Sequence, residues 1–279
     1  MKNLAVVVPV YNPNPELFKK CLDSIIRVNP REIIIVDDWS TDPDVINTMF
    51  EYSDKYDNIS LFKTSGNSGN DALPTYIGAV SSTSEYICKV DSDDILVSVP
   101  KKFRGDAYLA NYRTVDTNGN ILPVDMRPAN EKNFVSTLVL PDLMQTGSIF
   151  KRNLFIKCLA RDNALDIYTD VYFALMFFWI VDKPQPKIPV RYHVEYANKV
   201  TYEYVTGQKG SIEGQRSGSP YPTLVMTIGK FLKEAKIGKD MSMTIFGIFQ
   251  YFRSHRPTKD AVFKTFSDVF EYIEKNKKG

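Results

Sequence analysis

Glu85-Tyr-Ile-Cys-Lys-Val-Asp-Ser-Asp-Asp94 begins as a short apolar strand and ends in three carboxylates, Asp91, Asp93 and Asp94. Acids this close repel one another and cannot be buried without compensation. Hard oxygen ligands of this kind suit Mg²⁺ or Mn²⁺. An ion held by one or two carboxylates keeps positions open for substrate phosphates. The same pattern also describes a solvated acidic turn, so its meaning depends on the chain around it.

Upstream, Leu4 to Val10 is a near-continuous apolar run, the pattern of a strand buried on both faces of a parallel sheet. Tyr11-Asn-Pro-Asn-Pro15 interrupts it, and Pro15 suits the first position of a helix carrying Leu17, Phe18, Cys21, Leu22, Ile25 and Ile26. Glu32 to Val36 reads as a second buried strand, ending in Asp37-Asp-Trp-Ser-Thr-Asp42. A helix with Val45, Ile46, Met49 and Phe50 follows, then a strand over Ile59 to Phe62 and a helix from Ala72 to Val80. This alternation predicts an α/β fold with a doubly wound sheet and right-handed crossovers. Ligands of such sheets bind beyond the carboxyl ends of the strands. Asp37 and Asp38 then share one sheet edge with Asp91, Asp93 and Asp94. No Gly-x-Gly-x-x-Gly follows the first strand and no Walker-type loop is present, so phosphates must be held by metal and side chains.

Downstream, Asp106 to Val115 and Asn120 to Val124 flank Asp116-Thr-Asn-Gly119, a hairpin signal. Gly147 to Arg152 leads into a helix, and Asp166-Ile-Tyr-Thr-Asp170 opens another, strongly apolar one. Thr169 or Asp166 could cap it, with Asp170 in the first turn. Val190 to Val205 reads as extended, Thr206 to Tyr221 as a Gly/Ser-rich loop, and the remainder as helical.

In this order and spacing the motifs resemble family 2 of the inverting nucleotide-sugar glycosyltransferases, which have the GT-A fold. They are Val7-Val-Pro-Val-Tyr-Asn12, Ile34 to Asp42, Asn67-Ser-Gly69, Tyr86 to Asp94, Asp116 to Gly119, Gly147 to Arg152 and Tyr168-Thr-Asp170. The resemblance implies a GT-A mixed sheet in residues 1–205, with a nucleotide-binding half (1–94) and an acceptor half (95–205). A helical, basic C-terminal extension (206–279) would follow. Pro9, Val10 and Tyr11 would line the nucleotide pocket. Asp38 would accept hydrogen bonds from base or ribose while Asp37 braces the turn, and Asp91 would serve the donor. Asp93, with Asp94, would bind the metal, Mn²⁺ or Mg²⁺. Asp170 would be the general base, in a Thr-Asp pair where relatives usually have Glu-Asp. Gly147 and Ser148 would shape the acceptor side. The donor implied is a nucleotide diphosphate sugar, UDP-linked on family frequency, and the acceptor a glycan or lipid-linked glycan. The chain departs from the family at Leu73-Pro74-Thr75, near the usual Arg-Asn pair. Lys101, Lys102 and Arg104 are candidate replacements for the missing cation. His193 is a candidate further metal ligand or a structural residue, and Trp39 a stacking or a packed aromatic.

Cys21, Cys88 and Cys158 are odd in number and widely spaced, which fits buried thiols in a reducing compartment better than disulfides. With no leader pattern and no long apolar run, the expected location is cytoplasmic. From Lys230 onward, 11 Lys/Arg stand against 6 Asp/Glu, so this region carries +5 while the whole carries +2. Three readings of that tail stand side by side: a packed subdomain with a solvated basic face, a surface helix peripheral to the inner face of the membrane, or a nucleic-acid contact. The last would suit a glycosyltransferase of modified DNA bases. A non-catalytic nucleotide-sugar binding protein is a further alternative. Nucleotidyl transfer would want a Gly-rich basic loop after the first strand, and Tyr11 to Pro15 is a poor one. The sequence does not fix the sugar, the acceptor or the oligomeric state.

Overall fold

The structure, a computed structural model, describes residues 3–123, 145–159, 169–182 and 192–207. The long loop between Val124 and Pro141, the capping candidate Asp166 and the basic tail lie outside the described residues.

Four parallel strands form the first half of the main sheet: β1 (Leu4–Val10), β2 (Glu32–Asp37), β3 (Ile59–Lys63) and β4 (Tyr86–Lys89). Between them run α1 (Pro15–Val28), α2 (Pro43–Lys55) and α3 (Ala72–Ser81). Local chemistry sets these boundaries. The Asn14 carboxamide accepts from Glu16 N and Leu17 N at 3.0 and 3.1 Å, and Pro15 occupies the first turn. Asn29 ends α1 in the left-handed conformation. Asp42 caps α2 by accepting from Asp44 N at 2.9 Å.

The sheet continues with β8 (Ile149–Lys151), β6 (Ala107–Leu109) and β9 (Val194–Tyr196), giving the order β3-β2-β1-β4-β8-β6-β9. β8 runs antiparallel to both β4 and β6, so the sheet is mixed. A second sheet joins β5 (Ile95–Leu96), β10 (Tyr202–Thr206) and β7 (Tyr112–Asp116). The extended stretch expected over 106–115 is therefore two strands in two sheets. At the break, Ala110 N donates to Ser148 Oγ and Asn111 O accepts from Thr201 N, so the changeover leaves these backbone groups paired.

Strand alternation divides the core. Leu4, Val6, Val8 and Val10 face a cluster with Phe18, Leu22 and Ile25 of α1 and Val45 and Met49 of α2. Ala5 and Val7 face α3, α4 (Arg152–Cys158) and α5 (Thr169–Asp182), where Phe150 packs edge-on against Phe173 and Phe177, and Phe155 lies tilted against Phe150 and Phe173. Each such buried side chain contributes roughly 1.5–3 kcal/mol relative to exposure, an upper bound for a compact unfolded state. α3 approaches closely because position 78 is glycine: a Cβ there would lie 2.4 Å from Val7 Cγ1. Pro9 is tolerated in β1 because odd-numbered groups point toward β4, whose ladder ends at the Val7–Lys89 pair.

Candidate active site

β1 leads to β2 on one side and, through β3, to β4 on the other. Strand order reverses at β1, and the crevice beyond the carboxyl ends of β1 and β4 is the topological switch point. Tyr11, half exposed, stands at its rim, and Pro9 and Val10 are buried beneath it. Asn12, in the left-handed region, ties this end of β1 to the loop after β2. Its Oδ1 accepts from Thr41 N and Asp42 N, and its own N–H donates to Ser40 Oγ.

The β2 acids are held by their neighbours. Asp37 accepts from Ser40 N at 2.7 Å and pairs with Lys63 Nζ at 2.9 Å. Asp38 is buried and accepts from Thr64 Oγ1, Ser68 Oγ and Ser68 N. Trp39, at φ 69°, adopts a conformation rare for a bulky residue. Its indole N–H donates to Thr64 O at 2.7 Å and Lys63 Nζ lies 5.0 Å from the ring centroid. The ring remains half exposed, beside the end of β3.

The β4 acids draw on distant parts of the chain. On β4, Tyr86, Cys88 and Val90 face α1, so alternation turns Ile87, Lys89 and Asp91 toward α3 and α5. Lys89 is 3% exposed, and its Nζ lies 2.7 Å from Asp91 Oδ1 and 2.5 Å from Asp71 Oδ2. Burial works to lower the ammonium pKa, and Asp71 and Asp91 override it, so Lys89 stays charged. Burial likewise works to raise the Asp71 carboxyl, and Lys89 holds it below the usual carboxylate range. Thr146 Oγ1 donates to Asp91 Oδ2 at 3.3 Å. Asp94 is buried, accepting from Tyr202 OH and Val205 N, both at 2.7 Å. Burial, then the charges of Asp93 and Asp91, push its carboxyl well above the usual range. Burial also leads in raising the Tyr202 phenol and the Cys21 thiol, whose Sγ donates to Asp91 O at 3.3 Å. All three cysteines are buried and free.

Asp170 sits in the first turn of α5. Thr169 directs its hydroxyl to Asp71 Oδ1, 2.5 Å away. Of the two residues expected on the acceptor side, Gly147 (φ 72°) faces the Tyr202 ring, where a Cβ would lie 2.5 Å from Cδ2, and Ser148 is buried. His193 precedes β9, and the register Ile87–Phe150–Ala107–Val194 puts it at the opposite end of the sheet from Asp93. It is exposed there and is no ligand for the Asp91–Asp93 edge. Lys101, Lys102 and Arg104 are exposed. Pro74 and Thr75, near the family's Arg-Asn position, are buried, and Thr75 Oγ1 has no hydrogen-bond partner among the described residues.

Sequence reasoning missed Lys89, Asp71 and Tyr202. One signal was available: a lone lysine inside Ile87-Cys-Lys-Val90, a strand otherwise built for burial, requires a carboxylate partner.

Residues 5–98 match the family described as glycosyl transferase family 2. The chain carries a family 2 domain. The chain is 30% identical over 177 residues to the poly(ribitol-phosphate) β-glucosyltransferase of Bacillus spizizenii, covering 60% of this chain and 27% of that protein. It is 33% identical over 101 residues to the poly(ribitol-phosphate) β-N-acetylglucosaminyltransferase TarP of Staphylococcus aureus, covering 34% and 30% respectively. The chain thus spans less than a third of either relative. Among solved structures, S. aureus TarS residues 1–349 with UDP-GlcNAc superposes at a TM-score of 0.62 and 20% identity, covering 88% of this chain and 70% of that one. GalNAc-T7 with UDP, GalNAc and Mn²⁺ superposes at 0.61 and 14% identity, covering 98% and 57%. These likenesses place the family 2 domain in the GT-A fold. No helix among the described residues is long and apolar enough to cross a membrane.

Proposed function

We propose that this family 2 protein transfers a sugar, with inversion, from a UDP-sugar to a hydroxyl of a glycan or polyol-phosphate acceptor. The observation that carries the proposal is the pair of partly exposed carboxylates, Asp91 and Asp93, at the switch-point crevice of a GT-A sheet. The UDP and UDP-GlcNAc bound by TarS support the donor class, and the names of the two poly(ribitol-phosphate) relatives support the acceptor.

Pro9, Val10 and Tyr11 line the nucleotide pocket in this reading. Asp38 orders its wall through Thr64 and Ser68, and Asp91 meets the ribose side. Asp93 offers the hard carboxylate oxygens that Mg²⁺ or Mn²⁺ takes, whereas both oxygens of Asp94 already accept from Tyr202 OH and Val205 N. Among the described residues no three His, Cys, Asp or Glu side chains converge to hold a metal. A site on Asp93, supported by its neighbours, would therefore keep positions open for the donor's phosphates. Such an ion, when bound, neutralises charge developing on the diphosphate. Asp94, buried on Tyr202 and Val205, anchors the segment that presents Asp93. Asp170 takes the proton of the acceptor hydroxyl as its oxygen bonds to the anomeric carbon and the bond from that carbon to the diphosphate breaks.

The test offers purified protein UDP-glucose and UDP-GlcNAc with poly(ribitol phosphate), in Mn²⁺, Mg²⁺ or EDTA. Transfer from one donor, lost in EDTA, is expected. Asp170→Ala should slow it by about 10²–10⁴-fold with UDP binding retained. Full turnover by that variant would remove Asp170 from its role.

A further inference from the structure

Lys89 has no part in the reaction as proposed, yet it is a buried cation at the sheet edge, 3% exposed between two carboxylates. Its contacts continue in both directions. Asp91 lies on the donor side; Asp71, at the head of α3, passes the connection to the Thr169 hydroxyl. The polar chain Asp91–Lys89–Asp71–Thr169 therefore runs from the end of β4 to the first turn of α5. The residue after Thr169 is Asp170.

The sequence of α5 explains why such a chain is needed. Thr169-Asp-Val-Tyr-Phe-Ala-Leu-Met-Phe-Phe-Trp-Ile-Val-Asp182 is apolar on every side between its ends. A helix with no polar face gains about as much from burial in one rotation as in another, so its packing specifies rotation and slide weakly. Directional polar contacts do specify them, and fixing register is the best-attested use of buried polar groups. Lys89 suits the junction because one ammonium donates to both carboxylates at once.

We propose that Lys89 and Asp71 are positioning residues: through Thr169 they set the register of α5, and so place Asp170 relative to the Asp91–Asp93 edge. The catalytic consequence rests on the glycosyl-transfer reading; the mechanical one does not.

The experiment compares full-length wild type with Thr169→Val, Thr169→Ser and Lys89→Met. Backbone hydrogen exchange is followed in the first turn of α5 and in β1–β2, and kcat and KM are measured with UDP-glucose and UDP-GlcNAc. Thr169→Val should speed exchange in the first turn of α5 by about tenfold while β1–β2 is unchanged. It should lower kcat by about 10–10²-fold with donor KM within about twofold, the pattern of a misplaced group. Thr169→Ser, which keeps the hydroxyl, should restore both, and Lys89→Met should reproduce the valine variant where it folds. Unchanged exchange and kcat in Thr169→Val would overturn the proposal, as would a loss that serine fails to rescue. If wild type transfers neither sugar, the glycosyl-transfer reading fails, and the exchange pattern still decides whether the polar chain sets the register of α5.

Discussion

Asp37 and Asp38 at the end of β2 are answered by hydroxyls, backbone N–H groups and one surface lysine, all within the first 68 residues. Two strands over, the β4 acids are answered by a buried ammonium, a hydroxyl from Thr146 and a phenol 108 residues away. The first edge is a local turn that satisfies itself. The second exists only when β10, α3 and the segment before β8 have all come home. A site built from distant parts reports on the whole fold; under the proposed function its acids would carry the chemistry, at some cost in mutual repulsion. The local edge carries shape.

The sharpest way to break this contrast is to remove one acid from each edge. Asp93→Ala should lower sugar transfer by about 10²–10³-fold, the loss typical of removing one electrostatic contributor at a reacting centre. Asp37→Ala should leave turnover per folded molecule within about threefold on the same argument. Equal losses in an assay corrected for folded fraction would erase the distinction. Next, Asp94→Ala removes the buried acceptor that Tyr202 OH and Val205 N–H share. It should cost about 2–4 kcal/mol in urea unfolding at neutral pH.

Glu32, at the start of β2, sharpens the comparison from outside the crevice. Burial works to raise its carboxyl, but the hydroxyls of Thr83, Ser84 and Ser82 and the Thr83 N–H bring it down to about 2. A carboxyl depressed in the folded state contributes stability that is fully present above its unfolded value, 4.5, and lost as pH falls toward 2. With solvent screening allowed for, that contribution is on the order of 1–2 kcal/mol. Glu32→Gln should flatten the acid limb of the stability profile over that window and leave UDP binding unchanged. The smallest effect belongs to Lys63→Ala: its ion pair with Asp37 is half solvated and should be worth under about 1 kcal/mol by chemical denaturation.

The alternation of apolar runs and breakers made the first half legible because each of those elements is specified locally. Leu4–Val10, Pro15–Val28 and Glu32–Asp37 fall where periodicity and capping chemistry put them. The same pattern brought both acid clusters to one sheet edge. What could not be read was pairing across distance. Nothing near Asp94 announces Tyr202, because their meeting depends on a second sheet that places β10 between β5 and β7. The split of 106–115 between two sheets was hidden for the same reason. Thr169 looked like a lost glutamate or a cap; its bond to Asp71 becomes visible only when α3 and α5 lie on the same face. Lys89 stood in plain view, and what it lacked was a known partner.

Gly78 gives this arrangement its tolerance. Resting on Val7 with no side chain between, α3 acts as a shim of zero thickness, and a helix is a stiff rod. Asp71 lies seven residues toward the amino end, about 10 Å along the axis at the helical rise. Any bulk added at the contact would lever that end away from Lys89. The machining of the sheet's interior and the alignment of charges at its rim are thus a single dimension, held by the absence of one methyl group.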